Sequence, residues 1–435
     1  MMKPTFTIET LGCKVNQYES QVIREALVRL GFEEADADQA EVGIVNSCTV
    51  TSKADGKTRK LVRKLKKSNP FSRIFVTGCC AVFSEDIEEL ESLPEVHKVV
   101  PNRDKMKLPF IIGSEYGKET DNQPVEERVS GFDLHTRAFL KVQDGCDRRC
   151  SYCKVNLVRG PSRSKDKKDV IEELVRLVGR GYKEIVITGI CLGGWKGAGG
   201  EKFSDLLRDV DGLTGDFRIR LSSIEPDHID EDLIDVISGS SRICHHLHIP
   251  LQSGSDKILK LMKREYDTGK LEELIAGIRK KIPLVGITMD VICGFPGESD
   301  EDFERTLFFI EKVRPTRLHV FSYSDRKGTC SHKMKEKVPI EKIRERVSLL
   351  IGVGEKLQAE FCRKFIGQEV EILVEKKIKD DMLIEGYTGE YVKVKLKGFS
   401  GKEGSLIRSK VNYVDEVLPF LLIGHKEPKE KATKR

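Results

Sequence analysis

Three cysteines stand close together in the loop Cys146-Asp-Arg-Arg-Cys150-Ser-Tyr-Cys153, directly after a predicted strand. Three thiolates at spacings of four and three residues can surround one compact metal centre, and soft thiolate ligands select iron–sulfur clusters, zinc or copper. An iron–sulfur cube usually takes four cysteines, and the sequence places no fourth nearby. A four-iron cluster held by three cysteines leaves one iron without a protein ligand, as direct electron transfer to a bound sulfonium requires. We therefore predict a reactive cluster, with a three-cysteine zinc site as the alternative.

A second group of cysteines is dispersed in sequence but shares one local context. Cys13, Cys48 and Cys79 each follow a candidate parallel strand directly, in the strings TIETLGC, EVGIVNSC and IFVTGC. The carboxyl ends of neighbouring strands in an open α/β sheet converge on one crevice, so the three thiols would meet there. A glycine precedes two of them and permits a tight turn beside a bulky ligand. We predict a second cluster at this crevice; Cys80 competes with Cys79 as the third ligand, and buried thiols are the alternative.

The rest of the composition indicates where the protein works. The chain has 435 residues, a net charge of +5 and twelve cysteines. Its first residues lack the apolar run of a secretory signal, and no stretch approaches the eighteen or so apolar residues of a membrane span. We therefore expect a cytoplasmic protein without disulfides or a membrane partner. Most of the six scattered cysteines are predicted to be small core residues: Cys80, Cys191, Cys244, Cys293, Cys330 and Cys362.

The predicted fold class is α/β with three domains. Strands alternating with helices predict an open parallel α/β domain at residues 3–115, and the polar stretch 113–130 reads as a linker. Six further strand–helix units within residues 132–365 predict a partial (β/α)6 barrel, from which a long helix at about residues 340–365 leads out. From 366 to 430, alternating apolar and polar residues predict a small antiparallel β-barrel.

Basic residues indicate two candidate surfaces for nucleic acid. Residues 53–67 hold eight cations against one acid, and Lys393, Lys395 and Lys397 alternate along one predicted strand. Alternate positions on a strand share one face, so these lysines would form a row suited to phosphate contacts. The alternatives are a solvated helix face and a charged edge strand.

The motifs occur in an order that resembles the methylthiotransferase family of radical S-adenosylmethionine enzymes, over nearly the whole chain. The string LGCKVNQYES is similar to the branch that acts on N6-threonylcarbamoyladenosine of tRNA. The C-terminal segment is similar to the family's TRAM domain, an RNA-binding barrel. The chain departs from the family at Lys154-Val155-Asn156, where an isoleucine-rich, proline-containing stretch is usual. The other matching blocks are NSCTVTSKAD, VTGCCA, DGCDRRCSYC, RGPSRS, TGICLG, SSIEPDHI, HIPLQSGSD, MDVICGFPGE and HVFSYSDRKGT.

The resemblance implies a specific reaction with two [4Fe-4S] clusters and two S-adenosylmethionine molecules per turnover. The cluster on Cys146, Cys150 and Cys153 would reductively cleave one S-adenosylmethionine into a 5′-deoxyadenosyl radical. The auxiliary cluster on the second cysteine set would hold a sulfur that the other S-adenosylmethionine methylates. The radical would remove the hydrogen from C2 of adenine at position 37 of a tRNA anticodon stem-loop, where the methylthio group is joined. A flavodoxin- or ferredoxin-type electron donor and a separate sulfur donor are implied as partners.

Five further residues are candidates for binding S-adenosylmethionine. Tyr152 precedes the last cysteine of the loop, and Glu225, Gln252 and Ser253 follow barrel strands, where polar groups could hold the ribose or carboxylate. Arg159 could bind a carboxylate or phosphate through two parallel hydrogen bonds. Turn or capping roles are the alternative for the strand-end residues.

Three other functions compete with the first hypothesis. Two are the sister activities of the family, on N6-isopentenyladenosine of tRNA and on an aspartate of a ribosomal protein. The third is a zinc-stabilised RNA-binding protein without catalysis. An anaerobic preparation that is brown, with iron and sulfide near eight per chain, would distinguish the enzymes from the zinc protein.

Overall fold

The computed structural model describes residues 3–49, 51–119, 125–132, 135–378, 383–397, 402–415 and 421–425. These residues form a five-stranded parallel sheet, six parallel strands arranged as a partial barrel, and a closed barrel of five strands, in that order along the chain. The predicted α/β architecture is confirmed. Within these ranges, no helix combines the length and apolar character needed to cross a membrane.

The first unit is an open parallel sheet whose central strands carry the second cysteine set. The strand order β2-β1-β3-β4-β5 places β1, β3 and β4 side by side, and β3 is buried along its whole length, as expected of a strand covered on both faces. The strands are β1 (Thr5–Thr10), β2 (Glu33–Glu34), β3 (Val42–Ser47), β4 (Arg73–Gly78) and β5 (Val96–Val99), and the helices are α1 (Lys14–Arg29), α2 (Ser52–Ser68), α3 (Ser84–Glu91) and α4 (Leu108–Glu115).

The second unit is the partial barrel. Two three-stranded parallel sheets, β10-β9-β6 and β11-β12-β13, are joined by the parallel bridges Ile219–Ile243 and Ser223–His248. The barrel strands are β6 (Ala138–Lys141), β9 (Glu184–Thr188), β10 (Arg218–Leu221), β11 (His246–His248), β12 (Gly286–Cys293) and β13 (Arg317–Ser322). The short strands β7 (Gln143–Asp144) and β8 (Arg163–Ser164) pair antiparallel at the two ends of the segment that holds the cysteine loop. The helices are α5 (Val155–Arg159), α6 (Lys167–Gly179), α7 (Phe203–Asp211), α8 (Glu231–Gly239), α9 (Asp256–Leu261), α10 (Thr268–Lys281), α11 (Asp300–Val313) and the exit helix α12 (Ile340–Arg363).

The linker prediction for residues 113–130 is wrong at both ends. Helix α4 continues to Glu115, and Val125 and Val129 are buried in the same core as the barrel strands. The backbone carbonyl of Glu127 accepts a 2.7 Å hydrogen bond from the Tyr18 hydroxyl of α1. The polar composition gave no sign of these contacts, because burial of only two apolar side chains is enough to hold a short segment against the core. Residues 120–124 lie outside the described part of the chain.

The third unit is the small barrel. Its strands are β14 (Glu369–Ile378), β15 (Leu383–Thr388), β16 (Lys393–Lys397), β17 (Leu406–Val414) and β18 (Leu421–His425), in the closed order β14-β15-β16-β18-β17. Val394 and Leu396 of β16 point into the core, so Lys393 and Lys395 alternate outward as predicted; the side chain of Lys397 lies outside the described part of the chain. Lys393 and Lys395 lie 2.9 and 3.9 Å from carboxylate oxygens of Glu385, which offsets part of their charge.

An arginine cluster fixes the small barrel to the lower, amino-terminal end of the (β/α)6 strands. Glu184, the first residue of β9, is fully buried and accepts 2.7 and 2.8 Å hydrogen bonds from Arg218 and Arg220. The same arginines donate to backbone carbonyls of Tyr387 and Thr388 at 2.8 and 2.9 Å. The guanidiniums therefore satisfy a buried carboxylate and a turn of the neighbouring unit together.

A tyrosine from the same turn packs against the lower end of the barrel strands. Tyr391 adopts a left-handed backbone conformation, φ 68°. Its ring lies 4.9 Å from that of His246 and 4.6 Å beneath the guanidinium of Arg220. A β-carbon on Gly286 would lie 2.1 Å from the carbonyl oxygen of Glu390, so this close approach requires glycine.

Candidate active site

The cysteine loop 146–153 lies at the upper, carboxyl-terminal end of the barrel strands, between β7 and α5. The amide of Cys146 donates a 3.0 Å hydrogen bond to the carbonyl of Gly160, and the amide and hydroxyl of Ser151 donate to the carbonyls of Met262 and Leu261. Gly145 has φ 72°, and a β-carbon there would lie 1.9 Å from the carbonyl oxygen of Pro161. The loop is therefore held on both sides before any ligand binds.

The three thiols of this loop lie close enough for each charge to influence the next. Burial, together with negative charge on Cys150 and Cys146, raises the pKa of Cys153 to about 12. Arg264 donates a 3.3 Å hydrogen bond to the sulfur of Cys150, and the amide of Val155 donates at 3.4 Å to the sulfur of Cys153. Three converging thiols whose sulfurs accept hydrogen bonds are the donor set that a cluster with one open iron needs.

Cys191 belongs to the same neighbourhood, although its scattered place in the sequence predicted an ordinary core residue. It follows β9, the strand beside β6, and its amide donates a 2.7 Å hydrogen bond to Gln143. A hydrogen bond from the Cys191 thiol, with Arg148 nearby, lowers the pKa of Cys146 to about 7. Its position after a strand that ends at the barrel mouth is the sequence signal that would have identified it.

The second cysteine set meets at the carboxyl ends of β1, β3 and β4. A β-carbon on Gly12 would lie 2.8 Å from the β-carbon of Cys48 and 3.0 Å from its sulfur, so the turn before Cys13 passes directly over Cys48. Gly78 has φ 99°, and a β-carbon there would lie 2.5 Å from the backbone of Ser47. Both glycines are thus required for the close approach of the strand ends.

Cys79 and Cys80 have different surroundings. Burial raises the pKa of Cys79, and Arg159, Lys105 and Cys13 all lie within electrostatic range of its sulfur. The sulfur of Cys80 instead contacts the Ser47 hydroxyl at 2.6 Å, and burial raises the pKa of Cys80 to about 12. Cys79 is therefore the better partner for Cys13, as the sequence predicts, and its role as a ligand stays a prediction.

Arg159 lies between the two predicted clusters, on the side of the auxiliary set. Its guanidinium is almost wholly buried and donates hydrogen bonds to Glu19 at 3.0 Å, to Asp144 at 2.9 Å and to Asn16 at 2.5 Å. Burial opposes its charge, but Glu19, Asp144 and the thiols of Cys79 and Cys13 hold its pKa well above the usual value. The protein itself engages these donors, and a role of Arg159 toward S-adenosylmethionine stays a prediction.

The predicted strand-end residues have distinct positions. Glu225 forms an ion pair with Arg264, the arginine that contacts Cys150. Gln252 has φ 65° and bridges to β12, since its amide donates to the carbonyl of Asp290 at 2.8 Å. Ser253 is fully buried, and its hydroxyl lies 3.3 Å from that of Thr306, which is the geometry of a turn residue.

Tyr152 joins the cysteine loop to a cavity of about 220 Å³. Its hydroxyl lies 3.4 Å from a guanidinium nitrogen of Arg264. The cavity is lined by a residue that follows Cys48, by the end of the radical loop and by the ends of β12 and β13: Thr51, Tyr152, Cys153, Lys154, Gln252, Asp290, Ile292, Phe321, Ser322, Tyr323 and Ser324. A larger cavity of about 580 Å³ flanks Arg159, but none of the predicted cysteine ligands lines it. The smaller one is the better candidate for the reaction chamber because Cys153 lines it, together with Thr51, three residues after Cys48.

A carboxylate flanked by two histidines forms part of the wall of this chamber. Asp290 accepts from His248 and His319 at 3.1 Å each, and the two imidazole rings stack 5.3 Å apart. Burial opposes ionisation of Asp290, but the two imidazoles outweigh it and hold its pKa well below the usual value. Sequence reasoning assigned no chemical role to these three residues, because three residues on three strands share no local motif.

Comparisons with known proteins match both halves of this arrangement. Residues 140–310 match the Radical SAM superfamily, and residues 5–101 match "Uncharacterized protein family UPF0004". The chain is 38% identical to the threonylcarbamoyladenosine tRNA methylthiotransferase MtaB of Thermotoga maritima, over 91% of this chain and 92% of that protein. It is 37% identical to MtaB of Bacillus subtilis, over 94% and 93% of the two chains.

More distant relatives agree. A tRNA-2-methylthio-N(6)-dimethylallyladenosine synthase of Carboxydothermus hydrogenoformans is 33% identical over 94% of this chain and 97% of that protein. Among solved structures, the radical S-adenosylmethionine methyltransferase TsrM of Kitasatospora setae shares the fold with a TM-score of 0.54, at 13% identity over 74% and 73% of the two chains. The family implies a [4Fe-4S] cluster and S-adenosylmethionine, and the thiols of the 146–153 loop fit that cluster. The chain therefore belongs to the methylthiotransferase family of radical S-adenosylmethionine enzymes.

Proposed function

We propose that this protein is a tRNA methylthiotransferase that converts N6-threonylcarbamoyladenosine at position 37 to its 2-methylthio derivative. The observation that carries the proposal is one chamber bordered by both cysteine regions, with Cys153 on one side and Thr51, three residues after Cys48, on the other. A target carbon held in this chamber would face a radical source and a sulfur source together.

The chemistry requires such an arrangement because the C2–H bond of adenine is strong and unactivated. Acid–base side chains cannot remove that hydrogen, whereas cofactor radical chemistry can. When bound, the cluster on the 146–153 loop would supply the electron that cleaves S-adenosylmethionine, and a second [4Fe-4S] cluster on Cys13, Cys48 and Cys79 would supply the sulfur. Two S-adenosylmethionine molecules are consumed per turnover, one for cleavage and one for methylation.

The chain's own residues hold these reactants and exclude water. Arg264 reaches Cys150, Glu225 and Tyr152 from one buried position, and its donors can orient the amino acid end of S-adenosylmethionine. The Tyr152 ring packs edge-on against Phe295 and closes the chamber on that side. A dry chamber limits reaction of a primary radical with the wrong partner.

A tRNA anticodon stem-loop is the proposed macromolecular substrate, since proteins read unpaired, splayed bases most readily. The TRAM-like barrel would contact the phosphate backbone away from the reacting base. A flavodoxin- or ferredoxin-type protein would deliver the electron, and a separate donor would restore the sulfur, in the cytoplasm. Arg59, Arg63 and Lys64 of the basic helix α2 lie within 4 Å of glutamates, as Lys393 and Lys395 lie within 4 Å of Glu385, so the charge of both basic surfaces is offset in part.

The test is mass spectrometry of tRNA nucleosides from a deletion strain, with and without this gene on a plasmid. We expect 2-methylthio-N6-threonylcarbamoyladenosine to be lost on deletion and restored by the wild-type gene, but not by a Cys150→Ala variant. Persistence of the modification in the deletion strain would refute the proposal. Loss of 2-methylthio-N6-isopentenyladenosine instead would assign the chain to the sister activity.

A further inference from the structure

Lys154 lines the reaction chamber, and its side chain carries a buried cation. Among the described residues that line the cavity, it alone has a cationic side chain. Only 8% of its surface is exposed, so its ammonium group is largely removed from water. A buried ammonium group is costly unless an anion or several acceptors compensate it.

The protein compensates this cation only in part. The nearest carboxylate oxygen, on Asp86, lies 3.6 Å from the ammonium nitrogen, beyond hydrogen-bond distance, and the Asp86 side chain is 40% exposed. The ring of Phe83 lies 4.8 Å from the same nitrogen and adds a weak cation–π contact. An ammonium group has three donors, and in the described part of the structure no side-chain hydrogen bond engages them.

The other charged group of the chamber does not compete for this cation. Asp290 is the one carboxylate among the lining residues, and its oxygens accept from His248 and His319. The hydroxyl-bearing residues Thr51 and Ser322 also line the cavity. The wall of the chamber therefore includes a residue with an under-compensated cation, and hydroxyl groups that could bind a polar substrate.

We propose that Lys154 binds the free carboxylate of the N6-threonylcarbamoyl group and selects this adenosine over one with an apolar N6 substituent. The inference rests on the proposed function and deepens it. A threonylcarbamoyl group ends in a carboxylate and a hydroxyl, whereas an isopentenyl group is a branched hydrocarbon. A carboxylate supplies the missing anion, whereas a hydrocarbon would further desolvate the ammonium group and offer it no acceptor. Selection thus combines an attraction with a penalty for the competitor.

The test compares two synthetic anticodon stem-loops that differ in one group. One carries N6-threonylcarbamoyladenosine, and the other carries its carboxamide, which keeps the shape and removes the charge. Hydrogen bonds to charged groups contribute roughly 1.5–3 kcal/mol, so the wild-type holoenzyme should favour the acid by about 10- to 100-fold in kcat/KM and in affinity. Affinity is measured by fluorescence anisotropy, which needs no turnover.

Three variants make the result specific. Lys154→Met and Lys154→Gln should bring the preference for the acid close to unity, whereas Lys154→Arg should retain most of it. Lys327→Met is the matched control, because Lys327 is exposed, pairs with Glu85 one residue from Asp86, and does not line the chamber; it should keep the wild-type preference. Iron and sulfide contents accompany each variant, and the acid-to-amide ratio within one variant is insensitive to its active fraction.

The outcomes separate this inference from the function beneath it. If the wild type methylthiolates the acid but the Met and Gln variants keep its preference, the Lys154 site is wrong and the proposed function stands. Equal treatment of acid and amide by the wild type likewise overturns the site alone. Activity of the wild type on isopentenyl RNA, with none on the acid, overturns both.

Discussion

The guanidinium of Arg159 donates a 3.0 Å hydrogen bond to the carboxylate of Glu19, and both groups are almost wholly buried. Arg159 ends α5 of the barrel unit, and Glu19 lies on α1 of the N-terminal sheet. Lys105 and Lys141 approach the same carboxylate at 2.6 and 3.6 Å. One glutamate therefore gathers three cations from both units at the point where the two cysteine sets face each other.

Replacement of this carboxylate should weaken the contact between the two units and lower the free energy of unfolding. Burial opposes ionisation of Glu19, but Lys105, Arg159 and Lys141 hold its pKa well below the usual value. Glu19→Gln leaves three buried cations without their shared anion, so we expect a loss of about 3–5 kcal/mol in the free energy of unfolding. Urea denaturation measures it, with the exposed Glu33→Gln as the control, expected within about 0.5 kcal/mol of wild type. A Glu19→Gln protein as stable as the control would contradict this role.

Adjacent cysteines should differ in their effect on metal content. Cys79→Ala removes a predicted ligand of the auxiliary cluster, so iron and sulfide should fall from about eight to about four per chain. Cys80→Ala should keep about eight, because its sulfur contacts Ser47. Both are measured by iron and acid-labile sulfide analysis after anaerobic reconstitution. The reverse pattern would assign the third ligand to Cys80.

The docking of the small barrel should depend on pH through Glu184. Burial opposes its ionisation, but Arg220, Arg137 and Arg218 hold its pKa well below the usual value of about 4.3. Because the folded-state pKa is depressed, this contribution is complete above the unfolded-state pKa and is lost as the pH falls below it toward the folded value.

Glu184→Gln should therefore lower stability by about 3–5 kcal/mol at pH 7, since it leaves the arginines unpaired. The difference from wild type should narrow as the pH falls from 5 to 3. Denaturation at a series of pH values measures both effects. If the free energies of unfolding of the two proteins change in parallel over this pH range, Glu184 is not the source of the pH dependence.

Arg264 should set the reduction potential of the radical cluster. Hydrogen bonds to cluster sulfurs and nearby positive charge raise that potential, and Arg264 supplies both to Cys150. Arg264→Met should lower the potential by about 60 mV, which is a tenfold change for a one-electron couple. Glu225→Gln retains the arginine but removes its counter-ion, so its potential should rise or stay unchanged. Redox titration followed by electron paramagnetic resonance measures the reduction potential of each variant. A lower potential in both variants would contradict the role assigned to Arg264.

The sequence predicted the scaffold well where local patterns carry the information. The long helix predicted at about residues 340–365 is observed at Ile340–Arg363, and the six predicted strand–helix units correspond to the six parallel strands of the barrel. Apolar runs and capping residues determine such segments within a few positions. Cysteines after parallel strands were equally predictable, because parallel topology itself brings strand ends together.

Contacts between distant strands were not predictable in this way. Cys191 lies beside Cys146, and His319 beside His248, only because neighbouring barrel strands align their side chains. The packing of residues 125–132 was missed because two buried valines weigh little against a polar composition. Periodicity describes one element at a time, whereas these relationships require the register of several.

The turn that carries Tyr391 bears on how substrate and cofactor enter and leave the barrel. Because this turn packs against the lower end of the barrel strands, we expect substrate and cofactor to enter and leave at the upper end, where the cysteine loop lies. A bound anticodon loop would then cover this end and block release of methionine and 5′-deoxyadenosine. Departure of the RNA would have to precede cofactor exchange, which gives each encounter with tRNA a fixed order of arrivals and departures.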